Sequence, residues 1–212
     1  SRITFISDTH TKHKQCELDL PGGDILIHSG DFMNSGYYWQ EAKEFLEWFN
    51  GLYQYEHKIL IAGNHDRWFE DNLRDIPNAM LEYPNITYLL DQQTEIYGLT
   101  IYGSPWQPEF YNWAFNLPRN GEDLREKWFW IPNDCDILVT HGPSFGHLDV
   151  SGYGDTGLGC ELLRERIDVV KPLIHCFGHI HGSYGYKFHN GTHFINASVL
   201  NEGYDQVNEP LT

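Results

Sequence analysis

Five short polar segments succeed one another along this chain: Asp8-Thr9-His10, Gly30-Asp31, Gly63-Asn64-His65-Asp66, Thr140-His141-Gly142 and Gly178-His179-Ile180-His181. Any one such pair arises easily among 12 His and 30 acidic residues. Their succession carries information because each closes a run of apolar, β-branched or aromatic residues, so the polar groups project from the ends of buried strands. Together they describe one two-metal site. Carboxylate, amide and imidazole donors without thiolate suit Mn²⁺ first, with Fe or Zn²⁺ as alternatives, and disfavour Ca²⁺ or structural zinc. Two such ions about 3.5–4 Å apart share a carboxylate and a bridging hydroxide, acidify that water towards pKa ~7 and hold the oxygens of an in-line phosphoryl displacement. Phosphoester hydrolysis is the chemistry this set favours.

Elements must position those groups. Residues 3–7 read as a strand delivering Asp8 and His10, residues 25–28 as one delivering Asp31, and residues 59–62 as one delivering Asn64 and His65. Between them Trp39, Ala42, Phe45, Leu46 and Phe49 have helical spacing, which predicts a covering helix over 38–52. Further strands are expected at 94–96, 99–102, 137–140, 173–177, 186–189 and 193–195, and helices near 122–130 and 160–170. The stretch 103–130 is crowded with aromatic residues; it reads first as a loop packed on the core, with a substrate wall or base-stacking surface as the sharper alternative.

The 212 residues contain no linker or break in composition, so one α/β domain over 1–212 is expected. A formal charge of −16, from 14 basic and 30 acidic residues, opposes binding to long nucleic acids and leaves small anionic substrates open. The four positive charges of two divalent cations outweigh the ligand carboxylates Asp8 and Asp31, so a pocket inside an acidic protein can be locally cationic. Cys16, Cys135, Cys160 and Cys176 are widely spaced and form no Cys-x-x-Cys pair, which points to a reduced, cytoplasmic compartment. No apolar run is long enough to cross a membrane, and Ile3 opens a strand without a charged, apolar leader; the expectation is a soluble, unsecreted protein. The first residue is Ser rather than Met, which leaves an upstream segment open, and the oligomeric state is not readable.

The five segments resemble the pattern D-x-H, G-D, G-N-H-[DE], H and G-H-x-H of the calcineurin-like metallophosphoesterase superfamily, over residues 8 to 181. More of the chain resembles its metallophosphoesterase-domain-containing branch of small phosphodiesterases, through Ile6-Ser7-Asp8-Thr9-His10, His28-Ser29-Gly30-Asp31-Phe32, Gly103-Ser104-Pro105-Trp106-Gln107-Pro108, His141-Gly142-Pro143 and Asn196-Ala197-Ser198. The resemblance implies a four-layer α/β/β/α sandwich of two mixed sheets flanked by helices. It implies that Asp8, His10 and His181 hold a first metal, that Asn64, His141 and His179 hold a second, and that Asp31 bridges them. By the same resemblance His65 binds no metal and, oriented by a carboxylate such as Asp66 or Asp31, donates to the phosphate or protonates the leaving alkoxide. Some vertebrate members have lost a ligand His in the last block; His179 and His181 are both kept here, so a competent enzyme is expected.

Departures from other branches narrow the substrate. Protein Ser/Thr phosphatases continue the second block to Asp-Arg-Gly, whose Arg grips a dianionic monoester, whereas this chain reads Phe32-Met33-Asn34-Ser35-Gly36. Purple acid phosphatases carry a Tyr where Asn34 stands. A small phosphodiester such as a cyclic nucleotide is therefore expected, with a phosphomonoesterase and a non-catalytic nucleotide-binding or scaffold protein as alternatives. His28 and His175 read as core histidines bonded to backbone, and His13, His57, His147, His189 and His193 as structural or solvated. The glycines at 152, 154, 157 and 159 read as a flexible loop beside the metals.

Overall fold

The computed structural model describes residues 1–16, 18–205 and 207–212. In chain order the strands are β1 (Ile3–Ile6), β2 (Gly23–His28), β3 (Tyr55–Leu60), β4 (Thr87–Tyr88), β5 (Gln92–Ile96), β6 (Leu99–Ser104), β7 (Gln107–Pro108), β8 (Asn116–Leu117), β9 (Ile137–Thr140), β10 (Ile174–Phe177), β11 (Gly185–His189) and β12 (Thr192–Asn196). The helices are α1 (Trp39–Asn50), α2 (Arg67–Asp71), α3 (Ile76–Met80), α4 (Glu122–Phe129) and α5 (Glu161–Val170).

Two sheets stack. The first has order β1-β2-β3-β4, and the second has order β11-β12-β10-β9-β6-β5. Strand alternation explains the layering, because successive side chains point to opposite faces. Ile25, Ile27, Ile59 and Ile61 of the first sheet meet Ile101, Ile137, Val139 and Cys176 of the second in one apolar cluster between the sheets. The intervening residues face outward: Leu26 and Leu60 pack with Ala42, Phe45, Leu46 and Phe49 of α1, while Tyr102, Leu138 and Phe177 pack with Leu124 and Trp128 of α4 and Leu163 and Ile167 of α5. The α/β/β/α order implied by the resemblance is thus built on a period of two. Mixed pairing is confined to the six-stranded sheet: β5 and β11 run antiparallel to their neighbours, whereas β1 to β4 are parallel throughout. An antiparallel bridge between Phe5 and Leu211 covers the outer edge of β1.

Parallel pairing decides where the polar segments fall. The C-terminal ends of β1, β2 and β3 and those of β6, β9 and β10 open on one side of the stack, where crossover loops leave a crevice. The aromatic stretch divides its labour. Phe115 and Trp128 are buried core residues, whereas Phe110 and Tyr111 stand exposed at that crevice.

Candidate metal centre

Four of the seven predicted ligands sit in a sharp backbone reversal just beyond a strand. Asp8, His10, Asp31 and His179 all have positive φ, between 42° and 67°, a region that Asp and His enter more readily than most residues. Side chains that would have run on with the strand fold back over the sheet edge instead. Glycine makes room beside them: any side chain at Gly178 would strike the Asp8 carboxylate and the Ser7 hydroxyl, and one at Gly63 would strike Asp31 and His141. Gly30, Gly63 and Gly178 are there for close approach.

Three sets of donor atoms converge within 4.8 Å of one another: Asp8, His10 and His181; Asp31, His141 and His179; and His10, Asp31 and His65. Asp31 thus faces both of the clusters assigned to it by resemblance. Asn64 joins the second through Oδ1, 2.8 Å from His141 Nε2. All seven expected ligands lie at one edge, and Asp8, Asp31, Asn64 and His141 are essentially sealed from solvent.

Hydrogen bonding leaves the inward-facing atoms without suitable protein partners. Asp8 Oδ2 accepts from the Ser198 hydroxyl at 3.1 Å, the His179 amide at 3.0 Å and the Ser7 hydroxyl, while Oδ1 has no hydrogen-bond partner and lies 3.3 Å from His181 Nε2. Three imidazoles spend Nδ1 on backbone carbonyls: His10 on Met33 (3.2 Å), His141 on Ser29 (2.9 Å) and His181 on Asn201 (3.1 Å). Their Nε2 atoms are left facing acceptors. His10 and His181 oppose each other at 3.4 Å, and His141 Nε2 faces Asn64 Oδ1 and, at 3.3 Å, Asp31 Oδ2. Only extra protons or cations reconcile lone pairs so placed, so the donor set fits divalent metal.

Protonation follows the same geometry. Burial pushes His10 down to about 4 and His179 down to about 3, keeping both neutral. Burial also opposes charge on His141, yet the Asp31 carboxylate outweighs it and raises the imidazole to about 9. His181 is raised in the same way, with Asp8 overcoming burial. Burial would lift the two carboxylates, but His181 beside Asp8 and His141 beside Asp31 hold them well below the usual range.

The two residues expected to act without binding metal part company. His65 points Nδ1 at the Asn34 carbonyl (2.7 Å), stacks on Trp113 (4.2 Å, 26°) and meets His10 edge-on at 4.6 Å. Its backbone amide, rather than its ring, bonds Asp31 Oδ1 at 2.7 Å. Asp66 does not orient His65. Its Oδ1 accepts from the Met33 amide (2.9 Å) and its Oδ2 from the amides of Asp31 (2.9 Å) and Gly63 (2.7 Å), so it ties together the loops after β2 and β3. Neighbouring positions in a tight turn point apart, and sequence adjacency misled. His28 takes the bland role expected of it, accepting from the Gly30 amide at 3.2 Å and bonding Thr9 Oγ1 at 3.0 Å.

Several contributors lie outside the five ligand motifs, Ser198 within the Asn196-Ala197-Ser198 segment and the others in none of the resembling segments. Ser198, Asn201 and Tyr204 reach the centre from beyond β12, and Trp113 reaches it from the aromatic stretch, whose Ala114 amide bonds the Asn64 carbonyl at 2.9 Å. A cleft of about 610 Å³ opens beside the clusters, walled by Phe110, Tyr111 and Tyr153 and by the carboxylates Glu109, Asp155 and Glu202. The loop carrying the four glycines supplies Ser151, Tyr153, Asp155 and Leu158 to that wall. Arg119 also reaches it, a cation passed over by the motif comparison. Its Nε already pairs with Glu161 at 3.1 Å, and its guanidinium donates to the Gly157 and Gly159 carbonyls. Among the described residues no helix is long and apolar enough to cross a membrane.

The sequence profile described as calcineurin-like phosphoesterase matches residues 1–183. Metallophosphoesterase domain-containing protein 1 of Homo sapiens is 40% identical over 232 residues, spanning 100% of this chain and 70% of the human one. Among solved structures, a Thermus thermophilus protein, TT1561, is similar with a TM-score of 0.67 at 17% identity, over 92% of this chain and 87% of its own. The Phosphopantetheinyl Hydrolase (PptH) from Mycobacterium tuberculosis is similar with a TM-score of 0.61, also at 17% identity, over 95% and 90%. At such identities the two structures speak to fold alone.

Proposed function

This chain belongs to the calcineurin-like phosphoesterase family of metal-dependent phosphoesterases, and we propose that it hydrolyses small phosphodiesters, cyclic nucleotides among them, with Mn²⁺ as the metal that serves best. The carrying observation is the chain of overlapping clusters, in which His10 links Asp8 and His181 to Asp31, Asp31 in turn joins His141 and His179, and Asp8 Oδ1 is orphaned between imidazoles. Asp8, His10 and His181 would hold one ion, Asn64, His141 and His179 the other, and Asp31 would touch both. When bound, such ions acidify water and neutralise charge on the phosphoryl oxygens. The protein's own residues do the rest. His65, fixed by the Asn34 carbonyl and the Trp113 ring, holds a proton at Nε2 for the departing oxygen. Asp66 acts by holding the two loops that carry Asp31 and Asn64.

The cleft wall supports a diester. Glu109, Asp155 and Glu202 repel a second negative charge, and Arg119 is already engaged by Glu161. Phe110, Tyr111 and Tyr153 offer flat apolar surface to a planar alcohol arm. With a chain charge of −16, a small substrate suits this cleft better than a long nucleic acid. Residues 1–212 act as one domain on this reading, since Ser198 and Tyr204 serve ligands near the start of the chain. Arg119 is the observation that favours the phosphomonoesterase alternative, because a shift of its partners would free a guanidinium for a dianion. Metal-stripped protein given Mn²⁺, Zn²⁺ or Fe²⁺ should cleave bis-p-nitrophenyl phosphate faster than p-nitrophenyl phosphate. Preference for the monoester would move the assignment to a phosphatase, and silence with every metal would leave a binding protein.

A further inference from the structure

Tyr204 lies outside the stretch matched by the family profile, yet its ring lies flat on His10, with centroids 4.3 Å apart and planes 15° apart. The same ring faces His181 at 5.4 Å and 23°, and His10 and His181 face each other at 5.3 Å and 24°. Three near-parallel rings therefore include two of the three side chains of the first cluster. The tyrosine is itself anchored. Its carbonyl accepts from Lys12 Nζ at 2.7 Å, and its amide donates at 3.0 Å to the Asn201 carbonyl, the same oxygen that receives His181 Nδ1. One turn of backbone thus fixes both the imidazole and the ring that covers it.

We propose that Tyr204 is a positioning residue of the first metal site: its ring sets the planes of His10 and His181 so that their Nε2 atoms stay aimed at a single ion. A lone hydrogen bond at Nδ1 leaves an imidazole free to twist about a soft terminal torsion, and a flat neighbour removes that freedom before the ion arrives. The ring does this work, and the hydroxyl is not needed for it. The inference rests on the metal reading proposed above.

The test is metal affinity rather than turnover. Full-length, metal-stripped protein is titrated with Mn²⁺ alone against a competing chelator, for wild type, Tyr204→Leu, Tyr204→Phe and Lys12→Met. Wild type should take two ions, Tyr204→Leu should bind one of them about 10- to 100-fold more weakly with the other unchanged, and Tyr204→Phe should match wild type. Lys12→Met removes the donor to the Tyr204 carbonyl and the ammonium 5.8 Å from the ring centroid while leaving the ring itself in place, and should weaken the same ion to a smaller degree. Wild-type affinity in Tyr204→Leu, equal weakening of both ions, or a Phe variant as poor as the Leu variant would overturn the inference. Metal-free circular dichroism checks the fold; if the Leu variant does not fold, unchanged affinity in Lys12→Met overturns it. A wild-type protein that takes no ion removes the metal reading and this inference with it, whereas a two-ion wild type with an unaffected Leu variant removes this inference alone.

Discussion

The two sheets meet at one edge but bring different chemistry to it. The four-stranded sheet delivers oxygens through Asp8, Asp31 and Asn64, along with His10, whereas the six-stranded sheet delivers imidazoles only, through His141, His179 and His181. Supports cross in the opposite sense. The Ser29 carbonyl, after β2, orients His141, while Ser198 and the His179 amide hold the Asp8 carboxylate from the other side. Neither sheet contains a site by itself. What looks like a list of motifs is an interleaving, in which His141 and Asp8 are each held in part from the opposite sheet.

Breaking the shared element should cost most. Asp31→Ala removes the carboxylate that faces both clusters, and it should abolish binding of both ions and lower turnover by more than about 10⁴-fold, checked by metal analysis and diester hydrolysis. His65→Ala should separate chemistry from assembly, retaining both ions while turnover falls by about 10²–10⁴-fold. Asp66→Asn sharpens the contrast between neighbours: with an NH₂ group turned towards backbone amides, the metal-free protein should lose about 1–3 kcal/mol in urea unfolding. Unchanged stability with lost turnover would instead return Asp66 to the role of orienting His65.

Removing one support that crosses between sheets should cost less. Ser198→Ala leaves Asp8 Oδ2 with two donors, and Mn²⁺ binding should weaken by about 10-fold in a chelator competition. The smallest effect is a proton count. The imidazole of His141 is raised to about 9, so below that pH an arriving ion displaces a proton from it, and affinity should climb with pH towards about 9 and then level off. Calorimetry of Mn²⁺ binding in buffers of different ionisation heat would read the released proton, and its absence at neutral pH would contradict an imidazolium at His141.

Much of this was legible before the structure. The strand ends carrying Asp8, Asp31, Asn64, His141 and His179 were readable because apolar runs stop abruptly at polar residues, and α1 because its stripe at Ala42, Phe45, Leu46 and Phe49 keeps helical spacing. The short elements α2, α3, β4, β7 and β8 were not, since two to five residues carry no periodicity. Asn201 and Tyr204 left no signal either, and Ser198 showed only as part of the Asn196-Ala197-Ser198 resemblance, without its role: a hydroxyl, a carbonyl and a ring become part of a metal centre only through where the fold sets them. Arg119 was missed for a related reason, because it reaches the cleft from a segment without any ligand motif.

The bond from Ser198 to Asp8 spans 190 residues of sequence. At synthesis rates of about 5–20 residues per second, roughly 10–40 s separate the making of these two groups. Throughout that interval the nascent chain has its first ligands and the early supports Ser7 and Met33, but not Ser198 or Tyr204, which complete their setting. The centre is therefore finished only after translation has passed β12, and a chain stalled before Ser198 would emerge with the first site's three ligands present but less firmly held.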